Sequence, residues 1–228
     1  MPSEEGICAL IPAFNEAHVI ASVIRETKKF VDCVYVIDDG SQDGTSKVAK
    51  DEGATCIRLD KNCGKGTALR EGIKLISNLS YEYVVFLDGD GQHCSADIPV
   101  LIESARRQNA DMVIGTRSFD RDRMPIERFF SNSMGSKAAS LLLGQEIKDS
   151  QSGFRLIRMN RLRNLRLRGK KYEIEMEILI KMSLAGFRIV HAPITTIYDM
   201  GKARSKMNPV RDTIRICIWS LLYRFLGF

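Results

Sequence analysis

Histidine is scarce in this chain, with three residues in 228, and tryptophan occurs once. His18, His93 and His191 show no metal-ligand spacing, and no serine lies in a Gly-x-Ser-x-Gly context. Zinc hydrolases and serine-nucleophile hydrolases are excluded on that ground. The six cysteines, Cys8, Cys33, Cys56, Cys63, Cys94 and Cys217, contain no Cys-x-x-Cys pair, and several fall in apolar runs. They read as reduced thiols packed like small hydrophobes, which suits a reducing cytosol. No stretch reaches the ~20 apolar residues of a spanning helix. The longest apolar segment, Ile214 to Phe228, is interrupted by Arg215 and Arg224. Met1 to Gly6 carries two glutamates and no basic-then-apolar segment, so no secretory signal is expected. Asn78-Leu79-Ser80 is then a chance sequon. Internal repeats and low-complexity linkers are also lacking.

What is present is apolar content of 44% and a formal charge of +6. That content is enough for one sizeable core in a chain of this length. The positive balance suits an anionic partner, whether nucleotide phosphate, lipid phosphate or nucleic acid.

Apolar runs alternate with helical spacing along the first half. Ile7–Pro12 and Val31–Ile37 read as buried strands that end in polar loops. Between them Glu16–Phe30 carries Val19, Ile20, Val23, Ile24 and Thr27 at helical spacing, with Asn15 placed as an N-cap. The alternation continues through Gly44–Glu52 (helix), Ala54–Leu59 (strand), Gly66–Ser77 (helix), Tyr83–Leu87 (strand), Ile98–Gln108 (helix) and Met112–Thr116 (strand). The pattern predicts an α/β fold with a mostly parallel sheet flanked by helices. Ligands of such sheets sit beyond the carboxyl ends of the strands. Past residue 116 the spacing predicts a charged loop over Arg117–Arg128, a helix over Phe129–Leu143 and another over Tyr172–Ala185, the last with Ile174, Ile178, Leu179 and Met182 on one face. Residues 1–210 read as one domain, with a nucleotide-binding half to 116 and an acceptor half from 117. Residues 211–228 read as an amphipathic C-terminal helix.

Phe86-Leu87-Asp88-Gly89-Asp90-Gly91-Gln92-His93 is the strongest local signal, because a buried strand delivers two carboxylates one residue apart. Two hard oxygen donors so placed suit Mg²⁺ or Mn²⁺ with phosphate oxygens in the remaining positions. A plain turn reads the same way, whereas an EF-hand lacks its later ligands here. Asp38-Asp39-Gly40-Ser41 ends another strand and offers an acid to a ribose or base, beside the helix-cap reading of Asp43-Gly44-Thr45. Asn62-Cys63-Gly64-Lys65-Gly66-Thr67 is not a phosphate loop, since Leu59 replaces the upstream glycine and Gly66 follows the lysine. Lys65 opening a helix still suits an anion. Arg117, Arg155, Arg204 and Lys206 are further candidate anion contacts, each with a solvated surface charge as its ordinary alternative. Glu173, Glu175 and Glu177 offer a base or an acceptor contact, while Glu177 and Lys181 read equally as an i,i+4 pair on a solvated face.

Taken in order, Ile11-Pro12-Ala13-Phe14-Asn15-Glu16, Val36 to Thr45, Asn62 to Gly66, Asp88 to His93, Gly115-Thr116-Arg117 and Ser152-Gly153-Phe154-Arg155 resemble the family 2 glycosyltransferases of GT-A fold. The likeness is greatest to the dolichyl-phosphate and polyprenyl-phosphate sugar synthases, and it covers roughly Ile7 to Lys206. The resemblance implies that Pro12, Phe14, Glu16, Ile37 and Asp39 hold the nucleoside. It implies that Asp88, Asp90 and Gln92 bind Mg²⁺ or Mn²⁺, with Gly89 beside the donor diphosphate. Arg117 and Lys206 would contact phosphate, so that Asp90, Arg117 and Lys206 carry the catalysis, while Arg155, Glu175 and Arg204 face the acceptor. Ser205-Lys206 resembles the Ser-Lys near the end of these synthases, although Met200 stands where the mannosyl enzymes have arginine.

The implied reaction is a single inverting displacement from GDP-mannose or a UDP-sugar to a polyprenyl or dolichyl phosphate. An anionic acceptor needs no general base. The expected setting is the cytoplasmic face of the membrane, touched peripherally through Ile214, Ile218, Leu221, Leu222 and Phe225 with Arg211, Arg215 and Arg224 toward lipid phosphate. Docking of that helix on the body or on a second subunit is the other reading, and an oligomer is compatible with it. Transfer to a sugar hydroxyl is the alternative reaction and would require Glu175 or Glu177 as base. A sugar-nucleotide pyrophosphorylase would open on a glycine-rich basic loop, which is absent. A nucleic-acid module would use the basic cluster Arg155–Lys171, but no stacking aromatics are interleaved there and no nucleic-acid partner is expected.

Overall fold

The computed structural model describes residues 6–117 and 126–195, the side chains of 126–134 excepted. Arg204, Ser205, Lys206, Met200, Cys217 and the whole 211–228 segment lie outside the described residues. The order is β1 (Gly6–Ala13), α1 (Ile20–Thr27), β2 (Cys33–Asp38), α2 (Thr45–Asp51), β3 (Thr55–Arg58), α3 (Lys65–Ile76), β4 (Tyr81–Phe86), α4 (Ile98–Gln108), β5 (Met112–Arg117), α5 (Ile126–Leu143), β6 (Arg155–Arg158), α6 (Met159–Leu162), α7 (Glu173–Leu184) and β7 (Ile189–Ile194).

Among the described residues seven strands form one sheet in the order β3-β2-β1-β4-β6-β5-β7. All pairings are parallel except those of β6, which runs antiparallel to both β4 and β5. β1 is buried at all eight positions, as a central strand covered on both faces must be. Its alternate side chains feed two cores. Cys8 and Leu10 join Ile37, Phe86 and Ile114 under α3, α6 and α7. Ala9 and Ile11 join Val36, Val85 and Val113 under α1 and α4. The result is a helix–sheet–helix sandwich whose carboxyl edge gathers the loops after β1, β2 and β4.

The segment from 117 onward departs most from expectation. β6 and β7 have no counterpart in the apolar pattern. The end of β5 meets the segment before β6 at one edge of the sheet: the Gly115 N–H donates to the Phe154 carbonyl at 2.9 Å and Arg117 pairs with Asp149 at 2.7 Å. α1 begins at Ile20, and Asn15 does not cap it: φ there is 54°, and its side-chain oxygen accepts the Gln42 N–H at 2.9 Å. The physical reason is that the amides before α1 are spent on the neighbouring loop. Those of Asn15, Glu16 and Ala17 donate to Ser41, Thr45 and Asp43 at 2.8, 2.9 and 3.0 Å. Asp43 also accepts the Thr45 N–H at 3.1 Å. Burial of its carboxyl opposes ionisation, but these hydrogen bonds outweigh it and hold Asp43 below the ordinary carboxylate range.

The solvated face expected for Glu177 is corrected as well. α7 is buried at Glu173, Glu175 and Glu177 in addition to its apolar positions. The chain over 166–171 lies across the side on which an exposed face was expected, and its amides take the carboxylates.

Candidate functional site

At the carboxyl end of β4 the chain turns through Asp88, Gly89 and Asp90 beside the N-terminus of α3. Lys65, the first residue of α3, reaches Asp88 at 2.5 Å and Glu175 of α7 at 2.6 Å. These side chains are 17%, 30% and 9% exposed respectively. One ammonium therefore bridges the carboxylate that follows β4 and one on α7 at the carboxyl edge of the sheet. The second Glu175 oxygen is buried with no hydrogen-bond partner among the described residues, as is the Ser152 hydroxyl. Unpaired buried oxygens of this kind are uncommon and mark places where a ligand can bond.

Lys65 is held from two sides. Asp39, at the end of β2, accepts the Cys63 and Gly64 N–H groups at 2.7 and 2.8 Å. Burial raises the Asp39 carboxyl above its usual range, with those two amides pulling it partly back. On the other side, the Thr67 N–H donates to the Lys170 carbonyl at 3.1 Å. A Cβ at Gly66 would stand 2.7 Å from the Gly169 and Lys171 carbonyl oxygens, so only glycine lets this chain approach so closely. Gly153 has the same role above the acids, where a Cβ would lie 3.0 Å from Asp88 Oδ2 and 3.1 Å from Lys65 Nζ.

The Asp88 N–H donates to His93 Nδ1 at 3.1 Å, and the ring stacks on Phe154 with centroids 5.2 Å apart. Burial, opposed by Asp88, lowers His93 to about 4, so the ring is neutral and suited to accept that hydrogen bond. Asp88 is held below its usual range: burial pushes it up, and Lys65 more than reverses this. Asp90 goes the other way, to about 6, through burial and then the negative charge of Asp88. Two acids whose proximity penalises their joint ionisation are relieved by a cation between them. With the Gln92 side-chain amide nearby in sequence, this oxygen donor set fits a hard divalent cation.

The other expected site residues fall into two groups. Pro12, Phe14 and Glu16 leave β1 at the same edge, Gly89 packs on Ala13 and the Pro12 carbonyl, and Arg117 ends β5. Asp149 grips Arg117 through Nε at 2.7 Å and Nη2 at 2.9 Å, which fixes the plane of the guanidinium. Two of the expected residues lie in the interior. Ile37 has no exposed surface and its side chain belongs to the core. Arg155 is also fully buried, and it donates to the Ser150, Ser152 and Glu175 carbonyls at 2.8, 2.7 and 2.5 Å. It builds the floor under Glu175 and has no face for an acceptor. Sequence reasoning missed Asp149 and the buried state of His93, and it left Lys65 as a general anion contact. The glycines on both sides of Lys65 were the available signal for that last position.

A family profile described as Glycosyl transferase family 2 matches residues 8–166. A relative from Methanocaldococcus jannaschii, named only as an uncharacterized protein, is 35% identical over 203 residues, which are 83% of this chain and 87% of that one. The UDP-N-acetylglucosamine–dolichyl-phosphate N-acetylglucosaminyltransferase of Methanococcus voltae is 29% identical over 247 residues, with 98% of this chain and 96% of its own length covered. Among solved structures, glucosyl-3-phosphoglycerate synthase from Mycobacterium tuberculosis in complex with Mn²⁺, UDP and phosphoglyceric acid matches with a TM-score of 0.73 at 21% identity, covering 96% of this chain and 78% of that one.

Proposed function

This chain belongs to glycosyl transferase family 2, and we propose that it moves a sugar from a nucleotide-diphosphate sugar to a polyprenyl or dolichyl phosphate with a divalent cation bound. It is a glycosyltransferase of GT-A fold. The observation that carries the donor half is the Asp88–Asp90 pair at the end of β4, with Asp90 raised to about 6 beside a lysine-neutralised Asp88. The Mn²⁺ and UDP named with the mycobacterial synthase support that assignment. The dolichyl phosphate named for the Methanococcus voltae enzyme supports the acceptor.

Asp88, Asp90 and Gln92 would hold Mg²⁺ or Mn²⁺. When bound, the cation supplies Lewis-acid neutralisation of the departing nucleoside diphosphate. Phe14, Glu16 and Asp39 line the nucleoside side, where Asp39 acts through the Cys63 and Gly64 amides it fixes. Arg117, oriented by Asp149, adds positive charge toward phosphate. Lys206 and Arg204 are assigned to the acceptor phosphate on the resemblance of Ser205-Lys206. A phosphate oxygen of the lipid attacks the anomeric carbon, the bond to the nucleoside diphosphate breaks, and the configuration inverts. No proton needs to be removed, because the nucleophile is already an anion.

The test is incubation with nucleotide sugars, Mn²⁺ and a short polyprenyl phosphate in detergent, following nucleoside diphosphate release and glycolipid. Asp90→Ala is expected to abolish Mn²⁺-dependent donor binding in calorimetry and to reduce transfer by roughly 10²–10³-fold, the loss typical of removing a charge-stabilising group from a transfer site. Donor binding unchanged in that variant would sink the metal assignment.

One observation favours a second reading. The unpartnered Glu175 oxygen could take a proton from a sugar hydroxyl. Glu175→Gln separates the two, since the amide oxygen can still meet Lys65. With a phosphate acceptor the expected loss in kcat is less than ~10-fold, and with a hydroxyl acceptor roughly 10²–10⁴-fold.

A further inference from the structure

The basic cluster singled out in the sequence divides in two when placed on the fold. Its first arginines are engaged: Arg158 with Glu82 at 3.2 Å, and Arg161 with Asp111 at 2.9 Å and over the Phe187 ring. The next five cations, Arg163, Arg166, Arg168, Lys170 and Lys171, are all exposed. None has an ion pair or a side-chain hydrogen bond among the described residues. No acid interrupts them between 163 and 171.

The backbone that carries these side chains is fixed from behind. Glu177 accepts the Arg168 N–H at 3.0 Å and the Gly169 N–H at 2.7 Å, and Lys181 donates to the Arg166 carbonyl. Arg70 of α3 donates to the Arg168 carbonyl at 3.3 Å, and Glu173 accepts the Lys170 N–H at 3.0 Å. Leu162, Leu165 and Leu167 turn inward to the core. Leucines and backbone polar groups thus face the protein while the cations face solvent, along a strap that ends beside Gly66 and the Lys65–Asp88 pair.

We propose that this strap is the docking face for an anionic lipid surface, which brings the mouth of the site to the headgroups. The choice of a bilayer over another polyanion rests on the lipid-phosphate reading above. It is supported by the absence of any aromatic residue within 163–171 on which bases would stack. Each cation held within a Debye length of an anionic leaflet strengthens binding by about fivefold, and the effect fades with salt.

The experiment uses the full chain and the variant Arg163→Gln/Arg166→Gln/Arg168→Gln, cosedimented with phosphatidylcholine vesicles with and without phosphatidylglycerol at low and high salt. The expected result is a loss on the order of 100-fold in binding to the anionic vesicles at low salt, with no change on neutral vesicles. The matching triple lysine variant should restore binding, because charge rather than shape is at work. Transfer to detergent-solubilised polyprenyl phosphate should be unchanged in the glutamine variant. Unchanged binding to anionic vesicles, an equal loss on neutral ones, or a loss confined to oligonucleotide binding would each overturn the proposal. If the unsubstituted chain binds anionic vesicles through these arginines yet transfers nothing to polyprenyl phosphate, the acceptor assignment falls and the docking face stands.

Discussion

Lys65→Met is expected to lower the unfolding free energy by about 3 kcal/mol in the absence of metal, the lower end of the range for removing one partner of a buried charge pair. Two carboxylates depend on this ammonium, Asp88 at 2.5 Å and Glu175 at 2.6 Å. Asp88 retains 30% exposure, so water softens the penalty there, whereas Glu175 at 9% is left nearly dry. The variant removes positive charge from the floor of a site that would also hold a divalent cation. Mn²⁺ should therefore bind it more tightly than the parent and return part of the lost stability, a linkage that denaturation with and without Mn²⁺ reads directly. Transfer should still fall steeply, because a floor with two unbalanced acids repels the donor diphosphate. A variant as stable as the parent without metal, and no more responsive to Mn²⁺, would contradict the bridging role.

Glu177→Ala is expected to cost about 3–5 kcal/mol, at the upper end of single substitutions. The wild-type carboxylate is fully buried and receives the Arg168 and Gly169 amides together with the Lys181 ammonium at 2.7 Å. Truncation leaves two backbone donors without their acceptor and takes from Lys181 the carboxylate that it pairs with in the interior. Glu177→Gln keeps one oxygen and should recover part of the loss. Because Lys170 in turn accepts the Thr67 N–H, loosening should spread to α3, and amide exchange at Arg168, Gly169 and Thr67 should accelerate together. Faster exchange at the first two with Thr67 unaffected would show that the strap and the helix are held independently.

The parallel half of the sheet was legible because strands buried on both faces read as unbroken apolar runs, as β1, β2, β4 and β5 do. The acids of the site were legible for a related reason, since they follow directly on the β4 run. β6 was not legible. It is four residues long and begins and ends in arginine, and nothing local reveals that Arg155 finds three carbonyl partners inside. β7 carries His191 and Pro193 within a six-residue strand at the edge of the sheet, where a missing N–H is tolerated. Glu177 misled for the opposite reason. Its i,i+4 spacing to Lys181 fits a solvated helix face, but the Arg168 and Gly169 amides take its carboxylate in the interior. A single sequence carries periodicity well and long-range charge compensation poorly.

The hold on Arg117 has a consequence for how the site tolerates change. Asp149 fixes the guanidinium, and Ala139 and Ile147, which lie between the two partners in sequence, are packed in the same core as β1 and β4. A core as dense as a protein interior transmits a change of volume rather than absorbing it. The aim of the arginine is therefore coupled to the packing of the sheet itself, and the catalytic frame and the segment that positions its cation can be altered only together.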